Sequence, residues 1–98
     1  MQIISEKQLS SFKKFLELHD SFIIAGHKDP DGDCISSCLG LSYIVENTGK
    51  PYIMLNAGPF KRIEIREYAD FFRNDIPFMT QDERNRCGLI MTDCSEIL

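Results

Sequence analysis

Three short apolar runs, SFIIAG at 21–26, PYIMLN at 51–56 and GLIMTD at 88–93, set the frame of this chain, because the segments between them carry helical rather than strand periodicity. Each run places large apolar residues side by side instead of alternating them with polar ones. That pattern reads as strands buried on both faces, the kind found in parallel sheets. Before the first run, Ser5 and Gln8 have capping-box spacing, and Leu9, Phe12, Phe15 and Leu16 recur at helical steps to about His19. Between the first two, Ile35, Cys38, Leu39, Leu41, Tyr43, Ile44 and Val45 form a broad stripe over 34–48, with Gly49 placed as the C′ residue. Ala57-Gly58-Pro59 then ends the second run. Pro59 is expected to open a helix over about 60–73, irregular near Ile65. Residues 75–86 read as a connecting loop with a short extended piece at IPFM. Helices alternating with strands imply an α/β fold: a parallel sheet with right-handed crossovers and flanking helices on both faces, Rossmann-like, three strands seen. Ligands of such sheets sit beyond the carboxyl ends of the strands.

At 98 residues the chain is one small domain at most. Its 43% hydrophobic and 27% charged residues, with no low-complexity tract, favour a globular class over disorder. No apolar run approaches the ~20 residues of a membrane span, and MQIISEKQLSSFKKF has neither a signal-peptide h-region nor the Arg-rich look of a transit peptide. A cytoplasmic protein is therefore expected, with Cys34, Cys38, Cys87 and Cys94 reduced. The cysteine spacing lacks the paired knuckles of structural zinc, and Cys34 and Cys38, one helical turn apart, fit a core. A net charge of -4 argues against gripping long duplex nucleic acid by phosphate neutralisation. A small anionic substrate stays compatible if a metal supplies positive charge locally.

The chemistry-bearing stretch is GHKDPDGDCISS, residues 26–37, which follows the first strand and gathers His27, Asp29, Asp31 and Asp33. Pro-Asp-Gly-Asp is strong turn chemistry, and on a purely structural account Asp33 caps the second helix. That leaves His27 and the other carboxylates unexplained. The spacing Asp29-x-Asp31-x-Asp33 imitates a calcium EF-hand loop, but Cys34 and Gly40 stand where that loop needs Gly and Glu. A divalent metal reading does better. One imidazole and two carboxylates on a tight loop, with Asp93 at the end of another strand on the same edge, form a mixed His and carboxylate set suited to Mn²⁺. Two such ions clamp a phosphoryl group and activate a water in phosphate-ester hydrolysis.

His27, Pro30, Asp31, Asp33 and Ser37 resemble the first signature of the DHH phosphoesterase superfamily, H-x-x-P-D-x-D with a Ser four residues on. GLIMTDCSE resembles its second, a hydrophobic strand ending in Asp, here Asp93. The resemblance covers residues 5–98. Within the superfamily the chain looks like the bacterial nanoRNase and pAp phosphatase group, with the related cyclic-di-AMP and pApA phosphodiesterases. It implies that His27 and Asp31 bind one Mn²⁺, that Asp33 binds a second, and that Asp93 bridges them; Asp93 and Asp33 are then the catalytic carboxylates and Ser37 a weak substrate contact. A short oligonucleotide or small nucleotide phosphate is the implied partner, and self-association as a homodimer stays open. The chain departs from the pattern by ending before the Asp-His-His triplet, the later Asp ligand and the C-terminal substrate-binding domain. Residues 1–98 are therefore expected to be the N-terminal portion of a DHH catalytic domain, inactive alone. Two alternatives stay open: a non-catalytic nucleotide- or metal-binding module, and a manganese-dependent inorganic pyrophosphatase, which shares a GHxxPDxD opening but has Asp-His-Asn where this chain has Asp93-Cys94-Ser95.

Other polar residues read as structural. Lys28 and Asp29 are expected to be solvated, His19 to meet the C-terminal dipole of the first helix, and Arg62 and Arg66 to lie on an exposed helix face with Glu64 and Glu67.

Overall fold

The computed structural model describes residues 6–26, 30–56 and 58–92. Helix α1 spans Glu6–Leu18, strand β1 Ser21–Gly26, helix α2 Gly32–Glu46, strand β2 Tyr52–Leu55, a 3-10 helix Ile63–Phe71, helix α3 Gln81–Asn85 and strand β3 Cys87–Thr92. The strands form one parallel sheet in the order β2-β1-β3, with Ile24 in register with Met54 on one side and Ile90 on the other. This is the α/β architecture with flanking helices that the alternation of runs implies. No helix among the described residues is long and apolar enough to cross a membrane.

Among the described strands β1 alone is buried on both faces, because it lies in the middle of the order. Strand β3 alternates instead: Gly88 and Thr92 are buried while Leu89 and Met91 are 58% and 65% exposed, contrary to the expectation of a two-sided buried strand. One sheet face carries the core, in which Phe22, Ile24 and Met54 pack with Cys34, Cys38 and Val45 of α2 and with Phe15 and Leu16 of α1. Gly88 makes room for α1 there, since a Cβ would stand 2.6 Å from Phe15 Cζ. The opposite face is covered more thinly. Ile76, Met79 and Arg84 border a groove of about 380 Å³ over Ile23, Leu55, Cys87 and Leu89.

Several local expectations are corrected. Ser5 of the proposed capping box lies outside the described residues. Helix α2 starts at Gly32 and ends at Glu46 with Asn47 as its C-cap, after which Thr48 and Gly49 donate to Val45 and Glu46 three residues back, so the chain tightens before Gly49 takes its positive φ of 76°. Pro59 follows a cis peptide and opens no helix; regular structure resumes at Ile63, and it is 3-10, not α. In a 3-10 helix residues three apart eclipse, which aligns the exposed Glu64, Glu67 and Asp70 and puts buried Ile65 on the same row as half-buried Tyr68. Residues 75–86 contain α3, capped by a reciprocal pair: Thr80 Oγ1 accepts from the Glu83 N–H at 3.1 Å, and Glu83 Oε1 accepts from the Thr80 N–H at 2.9 Å.

Helix α1 has no basic residue in its last turn, so its terminal carbonyls are satisfied from elsewhere. His19 Nδ1 donates to the Phe15 carbonyl at 2.8 Å, as its dipole position suggested. Lys50, ahead of β2, sends its ammonium to the carbonyls of Leu16, Glu17 and His19 at 2.6, 3.3 and 2.8 Å. Charge-assisted bonds of this kind are the stronger ones. Lys50→Met is expected to destabilise the fold by about 2 kcal/mol, read as a lower urea midpoint, and an unchanged midpoint would show that water replaces the ammonium at no cost.

The hydrogen bond from the Thr80 backbone N–H, followed by that from its side chain, holds the Glu83 carboxyl below its usual value of 4.5. A depressed folded-state pKa contributes stability that is present above the unfolded value and lost as pH falls through the folded one. Glu83→Gln should therefore flatten the stability-versus-pH curve below pH 4.5, measured by urea titrations across that range.

Candidate metal centre at the carboxyl edge of the sheet

Strand β1 connects through α2 to β2 on one side, yet its other neighbour is β3, so the strand order reverses between β1 and β3. In open α/β sheets the crevice beyond such a reversal is where ligands bind. Gly26 and Thr92 are in-register partners there, the last residues of their strands. The next residues in sequence are His27 and Asp93.

The edge is built on close contacts beneath the loop. Thr92, 7% exposed, donates its hydroxyl to the Ala25 carbonyl at 3.2 Å. With that proton committed, the Cys38 thiol donates to Thr92 Oγ1 at 3.3 Å, and Cys34 Sγ lies at 3.8 Å from the same oxygen. Both cysteines are fully buried, as their helical spacing suggested, and their sulfurs meet Thr92 in the interior. A Cβ on Gly26 would come 2.8 Å from Cys34 Sγ, 3.1 Å from Asn56 Nδ2 and 3.4 Å from Thr92 Oγ1. All three strands and α2 thus converge where that atom is missing. Asn56, 4% exposed, accepts the Gly58 N–H at 2.7 Å and closes the turn after β2.

Asp31 is the N-cap of α2: its backbone is extended (φ -105°, ψ -178°) and its Oδ1 accepts the Cys34 N–H at 2.9 Å. The cap is thus Asp31 rather than Asp33, which lies exposed in the first turn. Capping occupies one carboxylate oxygen of Asp31, and an ionised carboxylate keeps a second with its own lone pairs. Ser37 is exposed one turn beyond Asp33. Because α2 starts two residues earlier than its stripe implied, Ser37 lies past the first turn, where backbone N–H groups are no longer free for an anion. His27 and Asp93 lie outside the described residues, as do Lys28, Asp29 and Cys94. Among the described residues no group of three His, Cys, Asp or Glu side chains could hold a metal ion. Arg62 and Arg66 are exposed but share no row of a 3-10 helix, and Arg66 donates to the Lys61 carbonyl at 3.3 Å.

Sequence reasoning did not single out Thr92 or Asn56. The signal was a polar residue closing each of two otherwise apolar runs, MLN and IMT, at the edge where β1 ends in glycine.

Gly26→Ala is expected to cost about 1–3 kcal/mol through overpacking, with part recovered in the double variant Gly26→Ala/Cys34→Ala, which removes the sulfur in closest approach. Guanidinium unfolding of both variants checks this; equal stability of Gly26→Ala and the unsubstituted protein would show that the edge is looser than these distances imply. Compared with protein-family models, with curated proteins and with solved structures, the chain has no match.

Proposed function

We propose that this chain is the N-terminal part of a DHH-type, Mn²⁺-dependent phosphoesterase acting on short oligonucleotides or small nucleotide phosphates. The observation that carries the reading is the in-register pairing of Gly26 with Thr92 at the reversal of strand order. His27 and Asp93 each follow that pair by one peptide, a step of about 3.8 Å, and parallel strands run about 4.8 Å apart. Asp31 and Asp33 begin the helix that leaves the same loop.

The donor set fits such an ion. Cys34 and Cys38, the soft donors nearest the loop, meet Thr92 in the core, so one imidazole and three carboxylates are the ligands on offer, a combination suited to Mn²⁺. In this reading His27 and Asp31 hold one ion, Asp33 contributes to a second, and Asp93 is shared. When bound, such a pair offsets phosphoryl charge and supplies an activated water. The chain's own part is positional: Asp31 ties the loop to α2 through Cys34 N, and the N-terminus of α2, on the same edge, favours an anion. In this reading the second ion needs further ligands, and substrate selection further groups, than these residues supply.

Three carboxylates and an imidazole held together repel one another or lose solvation without a cation, and an ion that binds only the folded state stabilises it. Mn²⁺ at ten times its Kd is expected to add about 1.4 kcal/mol and raise Tm by several degrees, reversed by chelator. Asp93→Ala should keep the metal-free Tm and lose most of the rise; in a longer protein carrying the rest of the domain it should abolish turnover. A melting curve of the unsubstituted protein that ignores millimolar Mn²⁺ would sink the metal reading.

A further inference from the structure

The two edges of the sheet are finished differently. Strand β2 is four residues long, and beyond it Arg73 forms a β-bridge with Leu55. The Arg73 N–H donates to the Met54 carbonyl at 2.8 Å, and its carbonyl accepts the Asn56 N–H at 2.8 Å, so that edge is covered. Strand β3 has β1 on one side and, among the described residues, no pairing partner on the other. Its outward peptide groups are a row of unpaired donors and acceptors. Edges of this kind are ordinarily blunted by charge, proline, a bulge or a covering segment. The sequence of β3, CGLIMT, holds no charge and no proline, and its register with β1 runs unbroken from Cys87 to Thr92. The side chains along it are apolar as well: Leu89 and Met91 are 58% and 65% exposed on the face away from the core, and Ile90 on the core face is half-buried.

We infer that a second copy of this chain pairs antiparallel along β3, joining two three-stranded sheets into one of six strands. A two-fold axis through Ile90, perpendicular to the sheet, keeps both cores on the same side. It sets Ile90 against Ile90 there, and on the other face Leu89 of each copy against Met91 of the other, with Cβ atoms about 4.5–5.5 Å apart. Residues 89–91 are all apolar, so the strand is its own match in this register and no charge is buried. Pairing also closes. Both outer strands of the dimer are β2, whose edges Arg73 covers, so association stops at two copies instead of growing into a fibre. A six-residue strand is about 20 Å long, which puts the contact at the small end of protein interfaces, with a dissociation constant on the order of 100 μM. None of the residues assigned to the metal reading takes part, and the two stand or fall separately.

Sedimentation velocity between about 10 μM and about 1 mM spans that range. The mass is expected to rise from 11.3 kDa to twice that value and no further. Met91→Lys puts a charge on the edge at an exposed position and should raise the dissociation constant at least about tenfold, with circular dichroism recording an unchanged fold. Phe78→Lys, which removes an apolar side chain that is 90% exposed and lies outside β3, should dimerise like the unsubstituted protein. In a half-labelled sample, isotope-filtered NMR should show contacts between Leu89 of one copy and Met91 of the other. A monomer at every concentration overturns the inference, as does a Met91→Lys protein that dimerises at full strength. Equal weakening by Phe78→Lys would trace association to general apolar contact, and species larger than a dimer would refute the closed edge. A monomer that instead binds an added extended apolar peptide along β3 would show an edge open to a foreign strand, which also overturns the dimer. If Met91→Lys does not fold, the half-labelled contact decides.

Discussion

Gly26 has no Cβ, and the carboxyl end of the sheet closes around the space that atom would fill. Cys34, Asn56 and Thr92 each approach it from a different element, within 2.8 to 3.4 Å of the missing position. Only glycine at the end of the central strand lets β2, β3 and α2 draw in together. That convergence seats the first turn of α2, which Asp31 caps, against the carboxyl end of the sheet. Close-packed interiors transmit displacements rather than absorbing them, so a change at this point is felt along the edge.

The two ends of the sheet are secured by different physics. At the carboxyl end the ties are buried and neutral: a hydroxyl, two thiols, a carboxamide and a backbone turn. At the other end they are charged and partly wet. Lys50 collects three carbonyls at the end of α1, and Arg86 bridges Asp20 and Asp82 at 3.0 and 2.9 Å where β3 begins. Exposed ion pairs such as those of Arg86 contribute little each, while the Lys50 ammonium supplies donors to carbonyls that the end of a helix leaves without them. Ordinary solvent-screened contacts thus suffice away from the site, and the costlier buried polar groups are concentrated beneath it.

Much of this arrangement was legible in the sequence. The three apolar runs became the three strands almost residue for residue, because consecutive Phe and Ile residues bounded by turn chemistry leave few alternatives. The Cys34 and Cys38 spacing located the core face of α2. What failed has more than one cause. The stretch after Pro59 has apolar residues at mixed three- and four-residue steps that fit α or 3-10, and periodicity alone does not choose between them. Helix α3 is five polar residues held by Thr80 and Glu83, too short for any apolar stripe, although the capping-box spacing was present to be read. Burial of β3 was overestimated because pattern alone does not say which strand ends the sheet. At the carboxyl edge the sequence assigned the cap of α2 to Asp33 rather than Asp31, since either carboxylate suits an N-cap and only the backbone distinguishes them.

The segregation of donors at this edge narrows the chemistry it could support. Cys34 sits between Asp33 and Ile35 in sequence, close enough to the loop that a small rotation of α2 would present its thiol beside the carboxylates. Contact with Thr92 and full burial prevent that, turning the sulfur inward at 3.8 Å from Oγ1 while Asp33 on the same turn faces solvent. Soft and hard donors one residue apart on α2 therefore differ in exposure, the thiol buried and the carboxylate in solvent. A site that included the thiolate would favour zinc and leave its Cys open to oxidation; one that excludes it keeps oxygen and imidazole ligands, which exchange phosphate oxygens and water readily around a divalent ion. The buried hydroxyl of Thr92 meets both the Ala25 carbonyl and the Cys38 thiol, joining β3 to β1 and to α2 in the core.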